Sequence, residues 1–155
     1  MDTIFEITET YKGFEVIYHE LEGKESVKIY EDKRVEVFTI PLKHKIYWNG
    51  YLFKEKPKER HLNMKKISKH KEIEICDFQN LRLGRDFVSE DGNVIDNASL
   101  TTDPQPSVSY AFCSDTKYKE DIIPIIEKVD VLYHESTFLN NLKEMADYTG
   151  HSTAL

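Results

Sequence analysis

The stretch SVSYAFCSDTKYKEDIIPIIEKVDVLYHESTFLNNLKEMADYTGHSTAL, residues 107–155, decides the fold. Two short apolar runs, Val108 to Cys113 and Val131 to Tyr133, each stop at a polar cluster. Ser114-Asp115-Thr116 follows the first, and His134-Glu135-Ser136-Thr137 follows the second. Between them Ile122, Ile125, Ile126 and Val129 recur at helical spacing within Tyr118 to Val129. Strand, crossover helix, strand is the unit of a parallel sheet, and such sheets bind ligands outside the carboxyl ends of their strands. Asp115 and His134-Glu135 fall at those ends. His151-Ser152-Thr153 follows the next helical stretch and is expected at the same edge. An Asp, a Glu and two His converging there suit a metal or an acid–base site. The same letters also fit plain capping, with Asp115-Thr116 opening a helix at Lys117.

Outward from this unit, residues 3 to 54 read as a run of strands. Phe14 to His19 alternates, Val27 to Tyr30 is short, and Arg34 to Ile40 places Val35, Val37 and Thr39 on one face and Glu36, Phe38 and Ile40 on the other. Tyr47 to Phe53 is aromatic-rich. Turns are expected at Glu22-Gly23-Lys24 and Asp32-Lys33. His44 lies in a loop between two of these strands, and spacing alone gives no reason to select it. Farther on, Asn63 to Lys71 reads as a short helix with Met64 and Ile67 inward. Asp77 to Leu83 reads as another, with Phe78, Leu81 and Leu83 inward and Gly84 just past its end. Glu90-Asp91-Gly92-Asn93 predicts a hairpin from Phe87 to Val94-Ile95. Thr101 to Ser107, with Pro104 and Pro106, reads as an extended connector.

Composition sets the limits. The chain of 155 residues is 39% hydrophobic and 12% aromatic, enough for the core of one domain or of part of one. A net charge of −7 argues against general nucleic-acid binding. The charge is uneven, however. Lys54, Lys56, Lys58, Arg60, Lys65, Lys66, Lys69 and Lys71 are opposed over that run only by Glu55 and Glu59. Such a run is either a solvated face or a phosphate-contacting patch. Cys76 and Cys113 form no metal or disulfide framework, and Cys113 reads as a small buried hydrophobe. No apolar run reaches the length of a membrane span, so no membrane association is expected and a cytoplasmic setting is.

Ser114-Asp115-Thr116, Tyr133-His134-Glu135-Ser136-Thr137-Phe138 and Gly150-His151-Ser152-Thr153-Ala154, in this order, resemble the later motifs of ribonuclease Z. That family comprises the tRNA 3′-processing endonucleases of the metallo-β-lactamase superfamily. Pro41-Leu42-Lys43-His44-Lys45-Ile46 followed by Gly50-Tyr51-Leu52-Phe53 resembles it too, so the likeness runs from Val35 to Leu155. The resemblance implies an α/β fold, a metallo-β-lactamase-like αββα sandwich, with two Zn2+ at its open edge. It makes His44 a zinc ligand, Asp115 the carboxylate bridging both metals, and Glu135 with His151 the pair that moves a proton to the leaving 3′ oxygen. It makes precursor tRNA the partner, held by Ser152 and Thr153 at the site. Lys54, Lys56, Lys58, Arg60, Lys65 and Lys66 would hold it within a tRNA-contacting insert over 54–84. The Gly-Pro pair common in that arm is missing.

The departures from the family shape the remaining expectations. The His-x-His-x-Asp-His signature is absent, and so is the final Leu-x-His ligand. Residues 1–155 are therefore expected to form a single partial domain, about the second half of the enzyme, ending in a helix that Ser152 begins. Such a piece is expected to bind zinc weakly or not at all, to be inactive alone, and to form a homodimer through exposed strand edges. The competing readings are a metal-free α/β interaction module and another phosphodiesterase of the same superfamily.

Overall fold

The computed structural model of the chain describes Ile7 and residues 13–21 and 23–154. Its centre is a five-stranded mixed sheet in the order β1-β2-β3-β8-β9. The strands are β1 (Lys28–Glu31), β2 (Val35–Pro41), β3 (Asn49–Glu55), β8 (Ser109–Cys113) and β9 (Val131–His134). β1 to β8 pair antiparallel in sequence, and β8 and β9 pair parallel, as the 107–155 stretch requires. The architecture is α/β. Asp32 makes the tight turn between β1 and β2, accepting from the Arg34 and Val35 backbone N–H groups at 2.6 and 2.8 Å. These bonds hold its carboxyl below the usual range.

The period-two pattern sorts the sheet into two faces. Ile40, Leu52, Ala111 and Cys113 lie in one core cluster with Leu42 and Ile122, and Phe38, Ile125, Ile126 and Val129 pack against it. The other face is aromatic: Phe53 stacks on Tyr110 at 6.0 Å and Phe112 on Tyr133 at 4.9 Å. Phe53 and Tyr133 remain exposed there. Gly50 allows β3 and β8 to meet at their functional end, since a Cβ on it would stand 2.3 Å from the Phe112 carbonyl oxygen.

Between β3 and β8 the chain makes a second, smaller unit. β4 (His61–Leu62) pairs with β7 (Thr101–Thr102), and β5 (Phe87–Val88) pairs with β6 (Val94–Ile95). Helices α1 (Met64–Ile67), α2 (Phe78–Arg82) and α3 (Asn97–Leu100) complete it. Its core is Ile67, Ile73, Leu81, Phe87 and Leu100, so the segment 54–84 folds together with the residues up to 102. A narrow neck joins it to the sheet. Glu55 N–H donates to the Val108 carbonyl at 3.0 Å, and Ser107 Oγ donates to the Lys56 carbonyl at 2.8 Å.

Several expectations are corrected. Phe14 to His19 forms no strand: Phe14 and Ile17 are exposed, and alternation without a neighbouring strand or a core has nothing to pair with or bury. The residues before 13, Ile7 apart, and Glu22 lie outside the described residues, as does Leu155. The crossover is short, a 3-10 turn at Glu120–Ile122 leading into α4 (Ile123–Ile126), because Pro124 lacks the N–H that a longer helix running through it would use. Met64 is 52% exposed, since a one-turn helix presents a single inward position and Ile67 occupies it. Leu83 is 55% exposed, because α2 ends at Arg82 and the chain turns away just after Leu83 through left-handed Gly84. Ser152 begins no helix: Thr153 bridges to Phe138, and Ala154 N–H donates to the Phe138 carbonyl at 3.0 Å.

Candidate functional site

β2, β8 and β9 run in the same direction, so the loops after all three open on one edge. That edge receives His44, Asp115 and Glu135 from its own strands. Helix α5 (Lys143–Thr149) returns the chain there, and its cap Gly150 adopts φ +92°. The left-handed turn places His151 at the edge, and the missing Cβ lets the His44 ring lie against the backbone, where a Cβ would be 3.2 Å from Cδ2. The His44 and His151 rings meet edge-to-face at 5.3 Å.

Ligand atoms of His44, Asp115 and His151 all lie within 4.8 Å of one another. His44 Nε2 is buried and has no hydrogen-bond partner among the described residues. A buried imidazole nitrogen left unpaired costs free energy unless something outside the chain's own groups uses it. Two imidazoles and a carboxylate are the donor types zinc takes, so the residues fit a metal.

Glu135 anchors the group from behind and is only 7% exposed. Its Oε1 accepts from Thr116 N–H and from His151 Nδ1, both at 2.9 Å. Its Oε2 accepts from Thr137 N–H at 2.9 Å and Thr137 Oγ1 at 2.7 Å. Burial pushes this carboxyl up, but the bonds from Thr137, Thr116 and His151 outweigh it and leave it below the usual carboxylate range. An ionised Glu135 can only accept, so His151 carries its proton on Nδ1 and keeps Nε2 for the open edge. Asp115 caps no helix, since the next helical residue is Glu120. A cleft of about 540 Å³ opens beside His151, lined by Tyr118, His134, Lys143, Ser152 and Thr153 among others.

The edge thus brings together His44, Asp115, Glu135, His151, Ser152 and Thr153. Ser152 Oγ is engaged, donating to the Thr116 carbonyl at 2.6 Å. The basic run sits apart from it. Arg60 is tied to Thr101 and Asp103, Lys56 to Glu31 and Lys58 to Glu55. The Lys54 ammonium lies 5.3 Å from the Phe38 ring centroid. Lys65 and Lys66 are exposed on α1. Sequence reasoning passed over Thr116 and Thr137 as members of the site. Their only signal was a Thr within two residues of each acidic group.

No protein-family profile matches the chain. Curated proteins do. The chain is 41% identical to Ribonuclease Z of Porphyromonas gingivalis over 141 residues, which cover 91% of the chain and 46% of that protein. It is 42% identical to Ribonuclease Z of Cytophaga hutchinsonii over 161 residues, covering 99% of the chain and 50% of that protein. It is 39% identical to Ribonuclease Z of Bacteroides thetaiotaomicron over 142 residues, covering 92% and 45%. The motif resemblance therefore extends along nearly the whole sequence, and the chain spans about half the length of the curated relatives it matches.

Proposed function

From a chain 39–42% identical to about half the length of the Ribonuclease Z relatives it matches, we infer one part of the active site of a zinc-dependent endoribonuclease that removes the 3′ trailer of precursor tRNA. The observation that carries this reading is the pairing of His44, Asp115 and His151 within 4.8 Å with the orphaned, buried His44 Nε2. His44 and Asp115 would hold metal, and His151, although its ligand atom lies in the same group, is assigned to proton transfer. When bound, zinc supplies a nucleophile near neutral pH and neutralises charge on the scissile phosphate. Glu135 fixes the His151 tautomer by accepting from Nδ1. His151 then donates from Nε2 to the leaving 3′ oxygen. Ser152 and Thr153 border the cleft in which the phosphate and its flanking nucleotide lie.

Two zinc ions need more donors than this group offers, so the reading assigns the other ligands to residues outside this chain. It likewise assigns the aromatic sheet face to a covering sheet, which would complete the αββα sandwich. By itself the chain then binds zinc weakly and leaves tRNA intact. The half-exposed β9 edge, with Val131, Leu132 and Tyr133, supports a homodimer. Lys65 and Lys66, uncommitted within the described residues, are the cations of the insert best suited to tRNA phosphates. The setting is cytoplasmic, and no described helix is long and apolar enough to cross a membrane.

Cleavage of a precursor tRNA carrying a 3′ trailer by the full parent protein tests this. His151→Ala should lower the rate by on the order of 10²–10⁴-fold, the usual worth of a general acid. Asp115→Ala should abolish zinc-dependent cleavage. A parent protein that is inert with zinc, or cuts normally with both substitutions, would overturn the reading.

A further inference from the structure

Thr116 is fully buried, and each of its polar atoms is spent on a different loop of the candidate site. Its N–H donates to Glu135 Oε1 at 2.9 Å, reaching the loop after β9. Its carbonyl accepts from Ser152 Oγ at 2.6 Å, holding the residue next to His151. Its Oγ1 accepts from Lys43 N–H at 3.0 Å, holding the residue next to His44, and donates to the Lys117 carbonyl at 2.8 Å. Lys117 N–H closes this ring on the Lys43 carbonyl at 2.8 Å. The residue beside Asp115 is thus bonded to the loops that carry the other three groups.

We propose that Thr116 is the positioning residue of the site, and that its hydroxyl sets the distance between His44 and Asp115. The inference rests on the reading that His44 and Asp115 hold a metal. The chemistry is that of an outer shell. Among the described residues His44 Nε2 has no hydrogen-bond partner to orient the ring, which is placed by Gly150, His151 and its own backbone. The side-chain bond on that backbone segment is the one from Lys43 N–H to Thr116 Oγ1. Outer-shell partners of metal ligands are typically worth 10–100-fold in metal affinity. A valine at 116 would keep the shape and lose the hydroxyl, leaving Lys43 held to this loop by the backbone bond from Lys117 N–H alone, without touching either ligand.

Thr39 supplies the control. It is equally buried, in the middle of β2, and its Oγ1 accepts from Val27 N–H at 3.0 Å, away from the site. The experiment is Zn2+ titration of the metal-free parent protein against a chelating dye, with thermal melts of each metal-free variant. Thr116→Val should weaken Zn2+ binding by on the order of 10–100-fold. Thr116→Ser, which restores the hydroxyl, should return it close to wild type, and Thr39→Val should lower the melting temperature and leave Zn2+ affinity alone. Should Thr116→Val not fold, Thr116→Ala against Thr116→Ser makes the same comparison. Wild-type affinity in Thr116→Val, an equal loss in Thr39→Val, or no rescue by serine overturns the role of Thr116 and leaves the metal reading standing. Zn2+ binding that is absent from the wild type, or indifferent to His44→Ala and Asp115→Ala, overturns both.

Discussion

Asn97 in the insert and His44 at the sheet edge are both polar side chains set against packed surroundings, and their bonding differs. Asn97 uses every polar atom of its side chain inside the unit. Its amide donates to the Leu81 and Arg85 carbonyls, and its Oδ1 accepts from Thr101, all at 2.8 Å. His44 has a buried nitrogen with no partner among the described residues. A closed set of bonds holds a fold together, whereas an atom left over in a built setting faces a ligand. The insert therefore reads as scaffold and the edge as receptor, although both are dense with hydrogen bonds. Asn49 Oδ1 is likewise unpaired, on the strand next to His44.

The contrast can be broken at its strongest point first. Leu100 is fully buried in the insert core, so Leu100→Ala should cost about 2–5 kcal/mol in denaturant unfolding. Amide exchange should quicken across α1 to α3 and β4 to β7 while β2, β3 and β8 stay protected. Equal loosening of the sheet would mean that the two cores are one. A smaller effect probes the edge. Gly150→Ala forces a left-handed residue and crowds His44, at a cost of about 1–2 kcal/mol. The His44 ring resonances should shift more than those of any other histidine, and an unmoved His44 would show that the glycine matters only to the helix end. The last test leaves stability unchanged. Burial raises the Cys113 thiol to about 11, so little thiolate forms at pH 8. A maleimide should label exposed Cys76 and spare Cys113 until the protein unfolds. Equal labelling by mass spectrometry would show that the sheet core opens.

Much of this contrast was legible in the letters. The β8–crossover–β9 unit, the β2–β3 pair and the hairpin around Gly92 follow from alternation and turn chemistry, which act locally. The placement of Asp115 and Glu135 at strand ends followed from the same unit. Other features depended on partners distant in sequence. Phe14 to His19 alternates as a strand does, yet pairing is decided by what lies alongside. By spacing alone His44 looked like any loop histidine; the motif resemblance singled it out, and the β2 direction, fixed by two antiparallel neighbours, brings it to the edge. Thr116 and Thr137 were invisible as site members because their backbone N–H groups and hydroxyls reach loops that only the fold brings beside them. Arg60 looked like part of a binding patch, and Thr101 and Asp103, far along the chain, take up its donors.

The neck between Glu55 and Val108 carries a consequence for how such chains diversify. The ends of the insert are clasped by the β3–β8 ladder, which is needed by the sheet in any case. Lengthening, trimming or exchanging what hangs beyond the clasp changes loop-closure entropy only slowly and leaves the candidate-site edge at the opposite end of those strands undisturbed. Descendants of this chain can therefore vary the insert independently of the candidate site.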